Sequence, residues 1–211
     1  MAGYANGNIP DPNYEEVYTD TTGYVECVKV TYDPEIITLQ ALCRLFFRSI
    51  DPHMINRQGN DIGTRYRTGI YWSDKEDKAD IEMIFNEMQN RALLPIVVEK
   101  KPLECFYPAE DYHQDYLIRN PEGYCHLSPT IIKAARRYTE TLRSLRAYSE
   151  KEKKEILPRF FKTGKGQYGE GDRFMGVTVP NTRKVAKSAA GLSSDVVEML
   201  LESPWHESRL C

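Results

Sequence analysis

The sequence lacks an apolar run long enough to span a bilayer, and its first residues lack the charged and apolar regions of a secretory signal. It also lacks a C-x-x-C pair, and its odd number of cysteines excludes a fully paired disulfide framework (Cys27, Cys43, Cys105, Cys125 and Cys211). In a chain without a signal peptide, such cysteines are most simply reduced thiols. We therefore expect a cytoplasmic protein that has no membrane partner.

The sequence has little that could hold a metal ion or a phosphate. Its four histidines stand far apart, and Cys125 and His126 are adjacent, so an extended chain aims them in different directions. The glycine-rich stretch at 163–172, TGKGQYGEGD, lacks the order of a phosphate-binding loop and does not follow a strand. We predict no metal ion and no bound cofactor.

Charge is distributed unevenly along the chain. Residues 1–130 contain 12 Lys+Arg and 21 Asp+Glu, a net charge of −9, whereas residues 131–191 contain 15 and 6, a net charge of +9. An acidic block before a basic one indicates two units with different partners. The simpler alternative is a solvated pair of basic helices.

The first part of the acidic block combines one loop with strand and helix patterns. The opening stretch, GYANGNIPDPNYEEV, is read as a polar glycine loop, and Tyr24–Tyr32 is rich in β-branched and aromatic residues and predicts a strand. A helix that stops at Asp51-Pro52 is predicted from apolar residues at helical spacing (Leu39, Leu42, Cys43, Phe46, Phe47 and Ile50).

In the rest of the acidic block, strand and helix patterns continue to alternate. The stretch YRTGIYW predicts a strand, and Ser73 with Glu76 predicts a capping box at the start of the next helix. Pro95–Lys100 predicts another strand, and Pro108 is expected to open a helix. This order predicts an α+β fold in which helices cover a sheet.

Beyond Thr130 the pattern is helical throughout. Helices are predicted at about 131–148, from Ser149 with Glu152 as its capping partner, from Pro180 to Gly191, after Ser193, and from Ser203. Helices joined by short loops are typical of a helical repeat array.

Two glycine-containing segments of the acidic block contain a tyrosine and a carboxylate each. Tyr4 and Glu16 lie in the first, and Asp61 and Tyr66 lie in QGNDIGTRYR. A phenol and a carboxyl group that converge can donate hydrogen bonds to a substrate oxygen, and a desolvated carboxyl can act as a general acid. The structural alternative is that the tyrosines pack on the core and turn carboxylates bind their hydroxyls.

Residues 3–130 resemble peptide methionine sulfoxide reductase A. The resemblance rests on GYANG, PNYEEVYTDTTGYVECVKVTYDPEII, RQGNDIGTRYR, FYPAEDYHQDYL and YCH, in the order of the family. It implies a two-layer α/β plait, a ferredoxin-like reductase fold. Asn6 stands where glycine is usual, which asparagine tolerates because it can adopt a positive φ. Tyr24 stands where histidine is common.

The resemblance also implies a reaction. A cysteine thiolate attacks the sulfur of an oxidised methionine, the oxygen is protonated, and a sulfenic acid is left, which a second thiol resolves and thioredoxin reduces. By the motifs, Tyr4 and Tyr66 would bind the sulfoxide oxygen, Glu16 would donate the proton, and Asp61 would support the site electrostatically. Cys125 would be the resolving thiol, and the function would be protein repair under oxidative stress. The substrate would be oxidised methionine in proteins, or free methionine sulfoxide.

The family's Gly-Cys-Phe-Trp-Gly block, which carries the nucleophile at the end of the first strand, has no counterpart in the sequence. Cys27 in a strand and Cys43 on an apolar helix face are predicted to be core thiols, and nothing marks Cys105 as activated. The expectation is a reductase domain that is truncated at its N-terminus and inactive alone.

Residues 143–211 resemble the start of the DNA alkylation repair family of HEAT-like alkylpurine glycosylases. The resemblance rests chiefly on FFKTGKGQYGEGDRFMGV. It implies a helical array, truncated at its C-terminus, that binds DNA through the basic segment 131–191.

Three hypotheses follow from these features. The chain is a peptide-methionine (S)-S-oxide reductase with a helical extension, a module whose basic helices bind DNA, or an inactive fragment of a fusion. The predicted domains are 1–140, the reductase, and 141–211, the partial HEAT-like segment.

Overall fold

A computed structural model describes all residues of the chain, 1–211, which form two compact units. Unit 1 contains Met1–Thr31 and Cys43–Ser128, and unit 2 contains Tyr32–Leu42 and Pro129–Cys211. The assignment of two domains to residues 1–140 and 141–211 stays a prediction.

The chain contains seven strands and eight α-helices. The strands are β1 (Ala2–Ala5), β2 (Val25–Val28), β3 (Arg57–Gln58), β4 (Asp61–Ile62), β5 (Gly69–Trp72), β6 (Glu99–Pro102) and β7 (Phe106–Pro108). The helices are α1 (Tyr14–Tyr18), α2 (Leu39–Ser49), α3 (Asp77–Arg91), α4 (Tyr116–Arg119), α5 (Pro129–Arg146), α6 (Lys151–Phe160), α7 (Val179–Ser188) and α8 (Ser194–Leu201). Two 3₁₀ helices lie at Thr64–Tyr66 and His206–Leu210.

A three-stranded antiparallel sheet in the order β2-β1-β7 forms one part of unit 1. Gly3 in the central strand lies opposite Cys27 on one side and Pro108 on the other. The interpretation of the opening stretch as a loop is therefore wrong for its first residues. Its strand is short, and the partners that stabilise it lie far along the chain.

The other strands of unit 1 form two small sheets. Strands β3 and β4 make a hairpin around Gly59, whose φ of 57° suits glycine in a tight turn. Strands β5 and β6 are parallel, as a crossover through a helix requires. Helix α3 provides the crossover and buries Ile81, Ile84 and Phe85.

Two predictions about unit 1 near residue 100 are wrong. Pro108 ends β7 and opens no helix, because its strand pairs with β1 and the next N–H, that of Ala109, donates to the Ala2 carbonyl. The strand predicted at Pro95–Lys100 is displaced toward the C-terminus, to Glu99–Pro102, where it pairs with β5.

The two predicted capping boxes are also wrong. The residue before α3 is Glu76, which makes no side-chain cap, and Asp74 accepts its backbone N–H instead. The residue before α6 is Glu150, and the Ser149 hydroxyl donates to the Met175 carbonyl.

Unit 2 packs its helices through apolar stripes at helical spacing. Helix α5 buries Ala134, Tyr138, Thr141, Leu142 and Leu145. Helix α8 and the 3₁₀ helix after Trp205 pack against α5, and the Trp205 side chain is almost fully buried. The helix predicted from Ser203 is thus a short 3₁₀ helix. None of the helices combines the length and apolar character that crossing a bilayer requires.

The fold class predicted from the sequence, an α+β part followed by a helical segment, is confirmed. The apolar period predicted α2 and α5 well because both helices bury one continuous face.

Candidate active site

Three side chains lie in a row on one face of the sheet β2-β1-β7. Tyr4 lies directly opposite Glu26 in β2 and Tyr107 in β7. Directly opposite residues of an antiparallel pair point to the same face, with Cβ atoms about 5 Å apart. The register thus makes the phenol of Tyr4 and the carboxyl of Glu26 neighbours.

The hydroxyl of Tyr4 is bound to a carboxylate of the segment after β7. It donates to Oε2 of Glu110 over 2.7 Å, and the backbone N–H of Tyr14 donates to Oε1 over 2.7 Å. Burial acts to raise the pKa of Glu110, but hydrogen bonds from its own N–H, Tyr4 and Tyr14 lower it overall. Glu110 is therefore a carboxylate that fixes the Tyr4 hydroxyl.

Arg65, in the first 3₁₀ helix, lies over the rings of Tyr18 and Tyr66, 4.3 and 4.5 Å from their centroids. Its Nη1 donates to Oδ2 of Asp20 over 2.6 Å, and its Nε lies 3.6 Å from Oε1 of Glu26. This Nε and this Oε1 are both buried, and neither has a hydrogen-bond partner. The arginine charge is thus bound closely by Asp20 and only loosely by Glu26.

The pKa of the Glu26 carboxyl is shifted in the opposite direction from that of Glu110. Burial raises its pKa and Arg65 lowers it, while the charges of Asp61 and Asp20 raise it again. The neighbouring Tyr66 also lowers the pKa of Glu26, but the net direction is upward. We call Tyr4, Glu26, Asp61, Tyr66 and Glu110 the tyrosine–carboxyl cluster.

Glu16 lies at the start of α1, where it caps its own helix. Its Oε2 accepts the backbone N–H of Asn13 over 3.0 Å, and Oδ1 of Asn13 accepts the N–H of Glu16 over 3.0 Å. This reciprocal capping box satisfies two N–H groups of the helix end. Its carboxylate is exposed, so the role of Glu16 as proton donor stays a prediction.

Asp61 lies at the start of β4, on the side of the cluster that faces the Tyr124–Cys125 segment. The Tyr124 hydroxyl donates to Oδ2 of Asp61 over 3.4 Å. The next residue, Cys125, is half-buried, and its Sγ accepts the N–H of Leu127 over 3.4 Å. The structure thus places the cysteine predicted to resolve the intermediate one residue after a side chain that contacts Asp61.

The other four thiols occupy varied surroundings. Burial raises the pKa of Cys27 and of Cys43 to about 12 and that of Cys211 to about 11. The Sγ of Cys105 donates to the Gly7 carbonyl over 3.7 Å. Cys27, Cys43 and Cys211, whose pKa values are raised, are protonated near neutral pH and are poor nucleophiles.

The loop between β1 and α1 is held by Tyr24. Its hydroxyl donates to the Ile9 carbonyl, and a Cβ at Gly7 would come within 2.2 Å of its ring. Only glycine therefore fits at position 7. Asn6 has a φ of 54°, which agrees with the expectation that asparagine adopts a positive φ at this position.

No group of three or more His, Cys, Asp or Glu side chains is arranged to hold a metal ion. The sequence patterns missed Glu26, Arg65 and Glu110. A signal for Glu26 was present, because it is the one charged residue inside the strand VECV. Glu110 joins the cluster only through contacts more than 90 residues apart in sequence, which no local pattern reveals.

Comparison with known families gives two matches. The sequence profile of the peptide methionine sulfoxide reductase family matches residues 1–144, and that of the DNA alkylation repair enzyme family matches residues 141–211.

Individual relatives match the first of these regions. Peptide methionine sulfoxide reductase MsrA of Mycoplasma genitalium is 51% identical over 125 residues, which are 59% of this chain and 80% of the relative. The MsrA of Clostridium acetobutylicum is 48% identical over 131 residues, 62% of this chain and 81% of the relative.

Solved structures agree with these relatives. The reduced form of Mxr1 from Saccharomyces cerevisiae has a TM-score of 0.57 and 37% identity, over 60% of this chain and 75% of Mxr1. Methionine sulfoxide reductase A of Corynebacterium diphtheriae has a TM-score of 0.52 and 36% identity, over 59% of this chain and 64% of that protein.

Proposed function

Because the chain belongs to the peptide methionine sulfoxide reductase family through residues 1–144, and so to the oxidoreductases, we propose that the tyrosine–carboxyl cluster binds the sulfoxide oxygen of an oxidised methionine. The observation that carries the proposal is a convergence in unit 1: Tyr4 lies opposite Glu26 in the sheet, and Arg65 contacts both Glu26 and the Tyr66 ring. The substrate is methionine sulfoxide in proteins or as the free amino acid.

The chemistry of the ligand fits these groups. A sulfoxide oxygen carries partial negative charge and accepts hydrogen bonds without donating any. A phenol that donates to it draws electrons from the S–O bond and makes the sulfur a better target for a thiolate. Tyr66 is the cluster phenol suited to this role, since the Tyr4 hydroxyl already donates to Glu110.

The roles of the remaining residues form part of the same proposal. Asp61 adds negative charge that raises the pKa of Tyr66 and of Glu26, which favours the protonated form of each. The thiolate that attacks the sulfoxide sulfur takes up its oxygen and becomes a sulfenic acid; Cys125 then displaces that oxygen as water to form a disulfide, which thioredoxin reduces. The contact between Tyr124 and Asp61 supports this role, since it holds the segment of Cys125 against the hairpin β3–β4.

A ligand titration tests the proposal. N-acetyl-methionine (S)-sulfoxide methylamide is titrated into the full chain, and binding is followed by NMR. We expect Tyr66→Phe to weaken binding roughly 3- to 10-fold, the effect of one lost hydrogen bond.

Tyr116→Phe is the matched control, because this tyrosine is 42% exposed and lies outside the cluster. It should leave the affinity unchanged. Equal affinities of wild type and Tyr66→Phe would overturn the proposal.

A second candidate function, DNA binding, is favoured by the match of residues 141–211 to DNA alkylation repair enzymes. The net charge of +9 in residues 131–191 suits phosphate contacts. The test is binding of duplex DNA by the full chain at several salt concentrations. An affinity that falls steeply with salt supports this function, and no binding at low salt rejects it.

A further inference from the structure

Three cationic side chains of unit 2 act on one carboxylate, that of Glu35. Nη2 of Arg146 in α5 donates to Oε2 of Glu35 over 3.0 Å, and Nζ of Lys154 in α6 donates to the same oxygen. The hydrogen bond from Lys154 and the charges of Lys154, Arg146 and Arg173 lower the pKa of Glu35, against the effect of burial. We call Arg146, Lys154 and Arg173 the cation triad, which brings three positive charges to one negative charge.

The segment that follows Arg173 packs against the start of α6, near the other two cations. The Ser149 hydroxyl, just before this helix, donates to the Met175 carbonyl. A Cβ at Gly176 would lie only 2.8 Å from the backbone nitrogen of Lys154. The fold therefore places Arg173 on a short segment that is in close contact with the helix of Lys154.

Two members of the triad keep their positions through contacts that do not involve Glu35. Nη1 of Arg146 donates to Oγ of Ser149 over 3.4 Å. The guanidinium of Arg173 lies 4.6 Å from the centroid of the Trp205 ring, and the backbones of these two residues form a β-bridge. Cations that are held in this way lose little conformational freedom when an anion binds. The triad is therefore preorganised for an oxyanion.

The Glu35 carboxylate matches the triad only in part. It carries one negative charge, and the contacts from Arg146 and Lys154 both use one of its oxygens, Oε2. The side chain is 38% exposed and belongs to a short turn, in which its N–H donates to Oδ1 of Asp33. A phosphate monoester carries a charge of about −2 near pH 7 and three acceptor oxygens, which guanidinium groups bind well. Phosphate therefore matches the triad better than a carboxylate does.

We propose that the cation triad binds a dianionic phosphate group, either inorganic phosphate or a phosphate monoester, and that Glu35 occupies the site until phosphate displaces it. The site lies in unit 2 and does not depend on sulfoxide binding. It also differs from a surface for duplex DNA, because each backbone phosphodiester carries a single negative charge. Glu35 is thus a competitor for the ligand within the chain itself.

The fluorescence of Trp205 can follow phosphate binding, because Arg173 lies over its ring. The chain has two tryptophans, so the Trp72→Phe variant of the full chain isolates this signal. The variant is titrated at fixed ionic strength and about pH 7.5, where phosphate is mostly dianionic, with inorganic phosphate, methyl phosphate and dimethyl phosphate. We expect a saturable change with the first two ligands. The diester should bind at least roughly 10-fold more weakly, because it has one charge less.

Substitutions in this background separate the triad from its competitor. Glu35→Gln should raise the affinity for phosphate at least roughly 3-fold, because a site that is mostly occupied binds with reduced apparent affinity. Glu155→Gln is the matched control, since it changes the net charge equally at an exposed position of α6. Arg146→Gln should weaken binding roughly 10-fold or more, the effect of one lost hydrogen bond between charged groups. Arg159→Gln, at another exposed position of α6, should leave the affinity unchanged.

A second measurement needs no substitution. In the unaltered chain, with glutamate ¹³C-labelled at its side-chain carboxyl, the NMR signal of Glu35 should move as phosphate saturates the site. The proposal is overturned if phosphate changes neither this signal nor the fluorescence of Trp205. It is also overturned if Glu35→Gln and Glu155→Gln bind phosphate equally, or if dimethyl phosphate binds as tightly as inorganic phosphate.

Discussion

At the scale of single residues, Glu110 joins three parts of unit 1. Its carboxylate binds the Tyr4 hydroxyl in β1 and the Tyr14 N–H at the start of α1. Nearby, Gln114 donates to the carbonyls of Ala2 and Ala109 and accepts the Ala2 N–H. The segment after β7 therefore holds the edge of the cluster through polar contacts.

We expect Glu110→Gln to destabilise unit 1 by about 1–3 kcal/mol at pH 7, because hydrogen bonds to a charged acceptor contribute more than those to a neutral one. The lowered pKa of Glu110 fixes the pH dependence. Its contribution is complete above the unfolded-state pKa of about 4.3 and is lost as the pH falls through the lower folded-state value. The gap between wild type and variant should therefore shrink under acid conditions.

Urea unfolding measures this difference. In a Trp205→Phe background, fluorescence reports only Trp72 in unit 1, since the chain has two tryptophans. Glu15→Gln serves as the control. A Glu110→Gln variant as stable as the control at pH 7 would show that the carboxylate charge contributes nothing.

At the scale of elements, Glu207 organises the chain between α6 and α7. Its side chain is buried and accepts the backbone N–H groups of Met175, Gly176 and Val177 over 2.9–3.1 Å. Three consecutive N–H groups that converge on one carboxylate form an anion-binding nest. The second 3₁₀ helix thus closes the segment that precedes α7.

We expect Glu207→Gln to destabilise unit 2 by about 2–4 kcal/mol, because an amide cannot accept from all three N–H groups and its own N–H₂ would face one of them. The measurement is urea unfolding in a Trp72→Phe background, where fluorescence reports Trp205. The exposed Glu155→Gln is the control. A loss below 0.5 kcal/mol, roughly the value for an ordinary surface change, would contradict the assignment.

The elements also show what the sequence could predict. Helices α2 and α5 were found from their apolar periods because burial of one face is a local property of the pattern. The sequence patterns predicted neither strand β1 nor the position of Pro108 at the end of β7. A segment of only four residues becomes a strand by pairing with β2 and β7, which a local pattern does not show. The tyrosines of the site could be named from motifs. Their partners Glu26, Arg65 and Glu110 required the register of the sheet.

At the scale of the whole molecule, the matches to the two families and the two compact units divide the chain differently. The family matches overlap at residues 141–144, inside α5, which belongs wholly to unit 2. The segment Tyr32–Leu42 also belongs to unit 2, although it lies inside the reductase match. Within unit 2, Glu35 of this segment binds Arg146 of α5 over 3.0 Å and Lys154 of α6.

We expect Glu35→Gln to destabilise unit 2 by about 0.5–1 kcal/mol, the range for partly exposed ion pairs. The hydrogen bond from Lys154 is the main cause that lowers the pKa of Glu35. Its contribution is therefore present above the unfolded-state pKa and lost as the pH falls through the folded-state value. Fluorescence of Trp205 in the Trp72→Phe background measures the effect, with Glu155→Gln as control.

Salt provides a further check on Glu35. About 1 M salt shortens the screening length to about 3 Å, so the difference between wild type and Glu35→Gln should shrink. If the difference in stability between wild type and Glu35→Gln changes with neither salt nor pH, Glu35 acts by packing and not by charge.

Binding of a sulfoxide to unit 1 through its oxygen atom can be tested by a comparison of two ligands. The full chain is titrated near pH 5 with N-acetyl-methionine (S)-sulfoxide methylamide and with the corresponding thioether, which lacks the oxygen, while NMR follows the signals of Tyr66 and Glu26. We expect the sulfoxide to bind at least roughly 3-fold more tightly, as one hydrogen bond implies, and to shift both signals. Equal binding of the two ligands, or binding that leaves Tyr66 and Glu26 unaffected, would contradict it.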